Sequence, residues 1–186
     1  GILLTHEHKD HIGGLDDVRA FNYTSGEPVD IYAEERVQRV VKKDFDYAFV
    51  EHKYPGVPEI RLHTIGEDPF RVKSVEIIPI RGLHYKLPVL GFRIGEIAYL
   101  TDFNYIPPKE FDKLKGVDTL VINALRKEAH ISHFTLGEAL HVSHLVSPRQ
   151  TYLTHISHQM GRQAQEEPAL PDNVRFAYDG LYIETP

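Results

Sequence analysis

Residues 1–14, GILLTHEHKDHIGG, decide how the rest of the chain is read. Ile2, Leu3 and Leu4 form an apolar run fit for a short buried strand. Four metal-ligand types follow within six residues: His6, His8, Asp10 and His11. On an extended strand end, side chains at i and i+2 share a face, so His6 and His8 can meet one ion. Asp10 and His11 lie beyond the turn and can face another. Gly13 and Gly14 are expected to let the backbone bend away without a Cβ clash. Histidine and carboxylate donors suit Zn²⁺, and also Mn²⁺ or Fe²⁺.

Working outward, 186 residues suffice for one domain with a real core, and residues 1–186 are expected to form a single domain. A net charge of -6 counts against a broad nucleic-acid footprint, though a local patch is not excluded. The chain has no cysteine, which rules out disulfides, thiolate metal sites and a cysteine nucleophile. No run approaches the ~20 apolar residues of a membrane span, and no signal peptide is visible. The expected location is cytoplasmic, and absence of disulfides is compatible with that.

Strands are predicted at 2–5, 28–33, near 60–63, at 70–79, 89–94, 97–101, 119–124 and 152–154. Gly95-Glu96 is read as the turn between 89–94 and 97–101. Helical spacing predicts helices at 15–21, 34–49, 107–114 and 135–146. Asp179-Gly180 predicts a hairpin between strands at 174–178 and 181–184. Interleaved strands and helices make the class α/β or mixed α+β.

Twelve histidines stand out. Three further positions set a histidine or aspartate beyond an apolar run: His84 in RGLH, Asp102 in YLTD and His155 in LTHISH. Taken singly, His84 would be a loop histidine and Asp102 a turn former or helix cap. Joint occurrence in this order overrides those alternatives. THEHKDH with these later residues resembles the H-x-H-x-D-H signature and ligand series of the metallo-β-lactamase superfamily.

That resemblance implies an αββα sandwich of two mixed sheets with outer helices. It implies two divalent metal ions, zinc or manganese first and iron third. One would be held by His6, His8, His84 and Asp102, the other by Asp10, His11, Asp102 and His155. Histidine rather than arginine after Asp10 favours the complete two-metal set. Ser132-His133 resembles the loop histidine of the phosphodiesterase branch, which includes tRNA 3′-processing endonucleases and a cyclic-phosphate diesterase group. LTHISHQM and FAYDGLYIE look most like the latter.

The implied function is a metal-dependent hydrolase, a phosphodiesterase acting on a small or cyclic phosphate ester. Two ions ~3.5–4 Å apart can share a water and lower its pKa, and the hydroxide so formed attacks phosphorus. Asp10 and His133 are the candidate catalytic residues, with His133 donating a proton to the leaving alkoxide. His158 would orient His155 or touch substrate. Alternatives are an RNA-processing nuclease of the same branch, a thioester or lactone hydrolase, and an inert metal- or partner-binding relative. His141 and His144, three apart on the 135–146 helix, are read as a solvated or packed face. His52, His63 and His130 are read as loop or surface residues.

Only four residues precede His6, whereas the superfamily's N-terminal strands precede this motif. The expectation is therefore an N-terminally truncated domain. Either its apolar faces and strand edges would be covered by a second copy in a homo-oligomer, or the fold would be altered.

Overall fold

A computed structural model describes residues 1–184, which fall into two compact units divided after Asp68. The first unit is built on a three-stranded parallel sheet, β1 (Ile2–Leu3), β2 (Val29–Ala33) and β3 (Ile60–Thr64). Ile2 pairs with Ile31, and Val29 with Ile60. All three strands run the same way, where the sequence resemblance implied a mixed sheet. Pairing continues one residue past β1, with the Leu4 N–H donating to the Tyr32 carbonyl at 3.0 Å.

After the histidine run the chain coils at once. It forms α1 (Lys9–Ile12), a 3-10 stretch over Gly13–Val18, then α2 (Arg19–Ser25). Gly13 sits at right-handed helical angles, so the two glycines continue the coil instead of bending the chain away. Leu15 and Val18 are buried on its inner side. Gly26, at φ 69, supplies the left-handed residue that ends α2.

Helix α3 (Glu35–Asp44) buries Val37, Gln38 and Val41 on one face. It packs with Ile31, Ala33, Leu4 and Ile12 in a single apolar cluster. Gln38 is tolerated there because its amide donates to the Ala33 carbonyl and the Thr64 hydroxyl. The helix stops at Asp44 rather than running to Phe49. Phe45 leaves helical angles (φ -120, ψ 39), its ring buries in the core, and a 3-10 turn over Asp46–Ala48 buries Ala48.

The second unit carries a seven-stranded sheet in the order β10-β9-β8-β7-β6-β5-β4. Strands β4 (Phe70–Val72), β5 (Val75–His84), β6 (Leu87–Ile94) and β7 (Ile97–Leu100) form an antiparallel meander. Strands β8 (Thr119–Asn123), β9 (Gln150–Thr154) and β10 (Val174–Phe176) then add in parallel. The single strand expected over 70–79 is two. Lys73, at φ 53, reverses the chain between β4 and β5. Gly95, at φ 58, makes the expected turn between β6 and β7.

Strand β8 is buried along its whole length, as a continuous apolar strand in a parallel sheet should be. Helix α4 (Leu136–Val146) starts with a capping box: Thr135 accepts the Glu138 N–H, and Glu138 accepts the Thr135 N–H. Ser147, in the left-handed conformation, ends it just before Pro148. The region 107–114 coils as a 3-10 helix (Pro108–Leu114) rather than an α-helix.

The hairpin expected at Asp179-Gly180 does not form. A turn is present and Gly180 takes φ 88, but β10 pairs in parallel with β9. Residues 181–184 form no strand. Tyr182 is 81% exposed, so the segment has no buried face to hold it in a ladder. No helix among the described residues is long and apolar enough to cross a membrane.

Candidate metal and catalytic site

In the first unit the opening motif gathers its imidazoles. The backbone at His8 is extended (φ -65, ψ 150) although β1 ends at Leu3, which keeps His6 and His8 on one side. His6 Nε2 lies 3.1 Å from His8 Nδ1. The His11 ring, from the first turn of α1, stands 4.2 Å from that of His6. Asp10 and His11 lie side by side, Oδ2 to Nε2 at 3.4 Å. His6 is fully buried, and the Thr5 hydroxyl holds its Nδ1 at 3.0 Å, so Nε2 is the nitrogen turned toward His8. Arg36, on α3, forms an ion pair with Glu7 and ties the motif to the helix behind it.

In the second unit the expected ligands sit at the ends of three strands. His84 is the last residue of β5, Asp102 follows β7, and His155 follows β9. The His84 Nδ1–H donates to the Asp102 carbonyl at 3.0 Å, and a carbonyl only accepts. In the neutral imidazole this puts the lone pair on Nε2, the form a metal ligand needs. The Asp102 side chain is 2% exposed. Its Oδ1 accepts the Thr101 hydroxyl at 2.8 Å and lies 3.1 Å from His155 Nε2. Its Oδ2 is 3.4 Å from His133 Nε2. Ligand atoms of His84, Asp102 and His133 all lie within 4.8 Å of one another.

Three of these turns use left-handed backbone at non-glycine residues: Tyr85 (φ 59), Asp102 (φ 62) and His155 (φ 54). Such angles cost about 1–3 kcal/mol each and persist where the surroundings enforce them. Around Asp102 the enforcement is visible. Asn123, fully buried at the end of β8, accepts the Phe103 N–H at 2.8 Å and donates to the Phe103 carbonyl at 3.0 Å. The Phe103 ring lies across Gly82 and Gly91, where a Cβ would meet it at 2.2 Å and 3.3 Å. Asn104 accepts the Tyr85 N–H and donates to the Ile131 carbonyl, joining the His84 turn to the loop that carries His133.

That loop, 125–135, is pinned at both ends. Phe134 N–H donates to the Phe103 carbonyl at 2.7 Å, and Leu136 N–H to the Arg126 carbonyl at 2.8 Å. It places His133, 12% exposed, with its ring 4.5 Å from His84 and 4.8 Å from His155.

His158 lies in a 3-10 turn capped by Ser157 and is exposed. His141 and His144 are exposed on α4, the solvated face expected of them. His63 is a strand residue, not a loop residue. It bonds Asp30 at 2.7 Å, stacks on Tyr32 and holds the Asp30 carboxyl below its usual range. Sequence reasoning missed His130, whose ring centroid is 5.0 Å from that of His133. The His-x-x-His spacing was the available signal. It also missed Asn104, Asn123 and Gly82, which act through backbone contacts that no motif announces.

A family model described as a beta-lactamase superfamily domain matches residues 1–156. An octanoyltransferase of Porphyromonas gingivalis is 37% identical over 182 residues, 97% of this chain, and the chain spans 37% of that protein's length. A crystal structure of a diphosphatase from the PhnP family superposes with a TM-score of 0.90 at 34% identity, covering 100% of this chain and 71% of that one. Human tRNase Z, short form, superposes at 0.71 over 100% of this chain and 78% of its own, with 20% identity, a likeness of fold. The two sheets and their helices are thus those of the metallo-β-lactamase fold. The chain belongs to the metallo-β-lactamase superfamily and matches its phosphodiesterase branch.

Proposed function

We propose that the chain is a metal-dependent phosphodiesterase for a small or cyclic phosphate ester, with residues 1–186 working as one domain. The observation that carries this is the buried Asp102 carboxylate, with His155 at one oxygen and His133 at the other. The 34% identity to the PhnP-family diphosphatase, over the whole chain, supports the choice of phosphorus chemistry.

The donors fit divalent ions. Every donor is imidazole or carboxylate, and His84 spends its Nδ1–H on the Asp102 carbonyl. His6, His8, His84 and Asp102 would hold one ion; Asp10, His11, Asp102 and His155 would hold the second, Asp102 serving both. Zinc or manganese is expected, with iron as the third candidate. Such ions, when bound, would supply Lewis acidity and make a water more acidic.

The remaining work falls to side chains. Asp10, with a side chain 67% exposed, can accept a hydrogen bond from the attacking water and orient it. Protonated His133 stabilises charge growing on the phosphoryl oxygens, and its Nε2 proton passes to the leaving alkoxide. His158 is assigned to substrate contact.

The test is turnover of bis(p-nitrophenyl) phosphate by metal-stripped protein resupplied with Mn²⁺ or Zn²⁺. Activity should appear with metal and fall about 10²–10⁴-fold in His133→Ala. The octanoyltransferase relative favours a second reading, hydrolysis of an acyl thioester by the same groups. Turnover of an octanoyl thioester without turnover of the diester would select it. Salt-sensitive retention of RNA would instead select the nuclease. Metal uptake without turnover of any ester would select a binding protein.

A further inference from the structure

We propose that a recess beside His155 receives the substituent that stays on phosphorus, and that it selects diesters whose retained group is a flat six-membered ring. The inference deepens the proposed function and rests on it. The recess measures about 150 Å³ and is lined by Ile156, Met160, Gly161, Gln163, Phe176 and Ala177, all in the second unit.

Two features join it to the candidate site. Ile156 follows His155 directly, so their Cα atoms stand ~3.8 Å apart. The turn beyond Ile156 is hydrogen-bonded to the start of the loop that carries His133. Ser157 N–H donates to the Leu125 carbonyl at 2.9 Å, and Arg126 donates to Gln159 Oε1 at 2.7 Å. His158, assigned to substrate contact, is exposed on that same turn.

The walls are apolar and mostly fixed. Met160 and Phe176 are buried in the second unit's core. Ala177 N–H donates to the Leu153 carbonyl at 2.9 Å, which carries the β10 pairing one residue further. Gly161 and Ala177 leave the space open. Gly161 takes φ 104, and a Cβ there would meet Glu166 Oε1 at 2.6 Å. Ile156 is the outer wall, a large apolar side chain left 37% exposed, and covering it removes apolar surface from water. None of the six lining residues carries a charge, so the recess suits a neutral group. An apolar cavity of ~150 Å³ admits benzene. The Met160 thioether makes favourable contact with an aromatic ring.

The side of the site decides which substituent enters. Asp102 has His155 at Oδ1 and His133 at Oδ2. His133 serves the leaving alkoxide, so the His155 side is left for the group that remains on phosphorus. A methyl there would leave most of the recess empty, and a six-membered ring would fill it.

Met160 is the only methionine of the chain, so carbon-13 in its ε-methyl gives a single reporter inside the recess. Zinc-loaded protein is titrated with phenylphosphonate and with methylphosphonate. The phenyl ring current should shift the Met160 signal, and methylphosphonate should shift it far less. Ala177→Leu fills the recess, and Ile156→Ala removes a half-exposed wall without opening the core. Each should weaken the response to phenylphosphonate. In parallel, kcat/KM is compared for bis(p-nitrophenyl) phosphate and methyl p-nitrophenyl phosphate, which share a leaving group and differ in the retained one. Their ratio should fall about 10-fold or more in Ala177→Leu. Equal Met160 shifts from the two phosphonates, or a ratio unmoved by Ala177→Leu, would overturn the proposal. If neither diester is turned over, the phosphodiesterase assignment falls, and the Met160 spectrum still decides whether the recess takes a ring.

Discussion

Gly82→Ala should damage both stability and the placement of Asp102, through one aromatic ring. A Cβ on residue 82 would stand 2.2, 2.3 and 2.6 Å from three carbons of Phe103. Carbon atoms sit comfortably at ~3.5–4.0 Å, so the ring must retreat by roughly 1 Å. It has little room, being fully buried, and its Cζ is already 3.3 Å from where a Cβ on Gly91 would be. Overpacking of this kind costs about 1–3 kcal/mol. At about 2–4 °C per kcal/mol for a chain of this length, Tm should fall by about 2–12 °C. Phe103 is the residue after Asp102, and Asn123 grips its N–H and carbonyl, so movement of the ring is passed to the carboxylate. A ~1 Å misplacement of a catalytic group can cost ~10²-fold in rate. Thermal unfolding and metal-dependent turnover, measured on the same preparation, read the two effects. Gly137→Ala is the control: nothing lies within 4 Å of its Cβ and it sits in α4, where alanine should stabilise by about 0.5–1 kcal/mol. Unchanged Tm and turnover in Gly82→Ala would refute the chain of contact from Gly82 to Asp102.

Thr135→Ala removes the capping box of α4 and should cost about 0.5–2 kcal/mol in urea unfolding, while Thr135→Ser should cost less. Arg149 donates twice to Asp118, both at 2.9 Å, and lowers the Asp118 pKa. The sign is that of a depressed carboxylate. Its stabilisation is present above the ordinary Asp value of about 3.9 and lost as pH falls through the lower folded value. Arg149→Gln should therefore be less stable than the unaltered protein at neutral pH, and the gap should close in acid. A gap that widened on acidification would contradict the pairing.

The family was legible in residues 1–14 because metal ligation requires particular donors at particular spacings, and such patterns survive in a linear string. So were the strands that end beside Asp102 and His155, since apolar runs closed by a candidate ligand are local features, whereas the strand expected to stop at Pro79 runs on to His84. Helix α4 was legible through Thr135, Glu138 and Pro148, whose signals act within one turn. What failed was decided by partners distant in sequence. Asp179-Gly180 is a sound local hairpin signal, yet β10 lies parallel to β9 because the sheet offers it that edge and residues 181–184 bring no face to bury. The Gly13-Gly14 pair signals a bend, yet the coil continues because Leu15 and Val18 bury in the first unit's core. Phe45 left its helix for the same core. The sequence by itself determined which atoms could bind metal and in what order they come. Only the tertiary structure decided that Asn123 would clamp Phe103 and that Gly82 would leave room for its ring. Those are contacts of shape and hydrogen-bond geometry between segments up to 21 residues apart, and a linear pattern does not encode them.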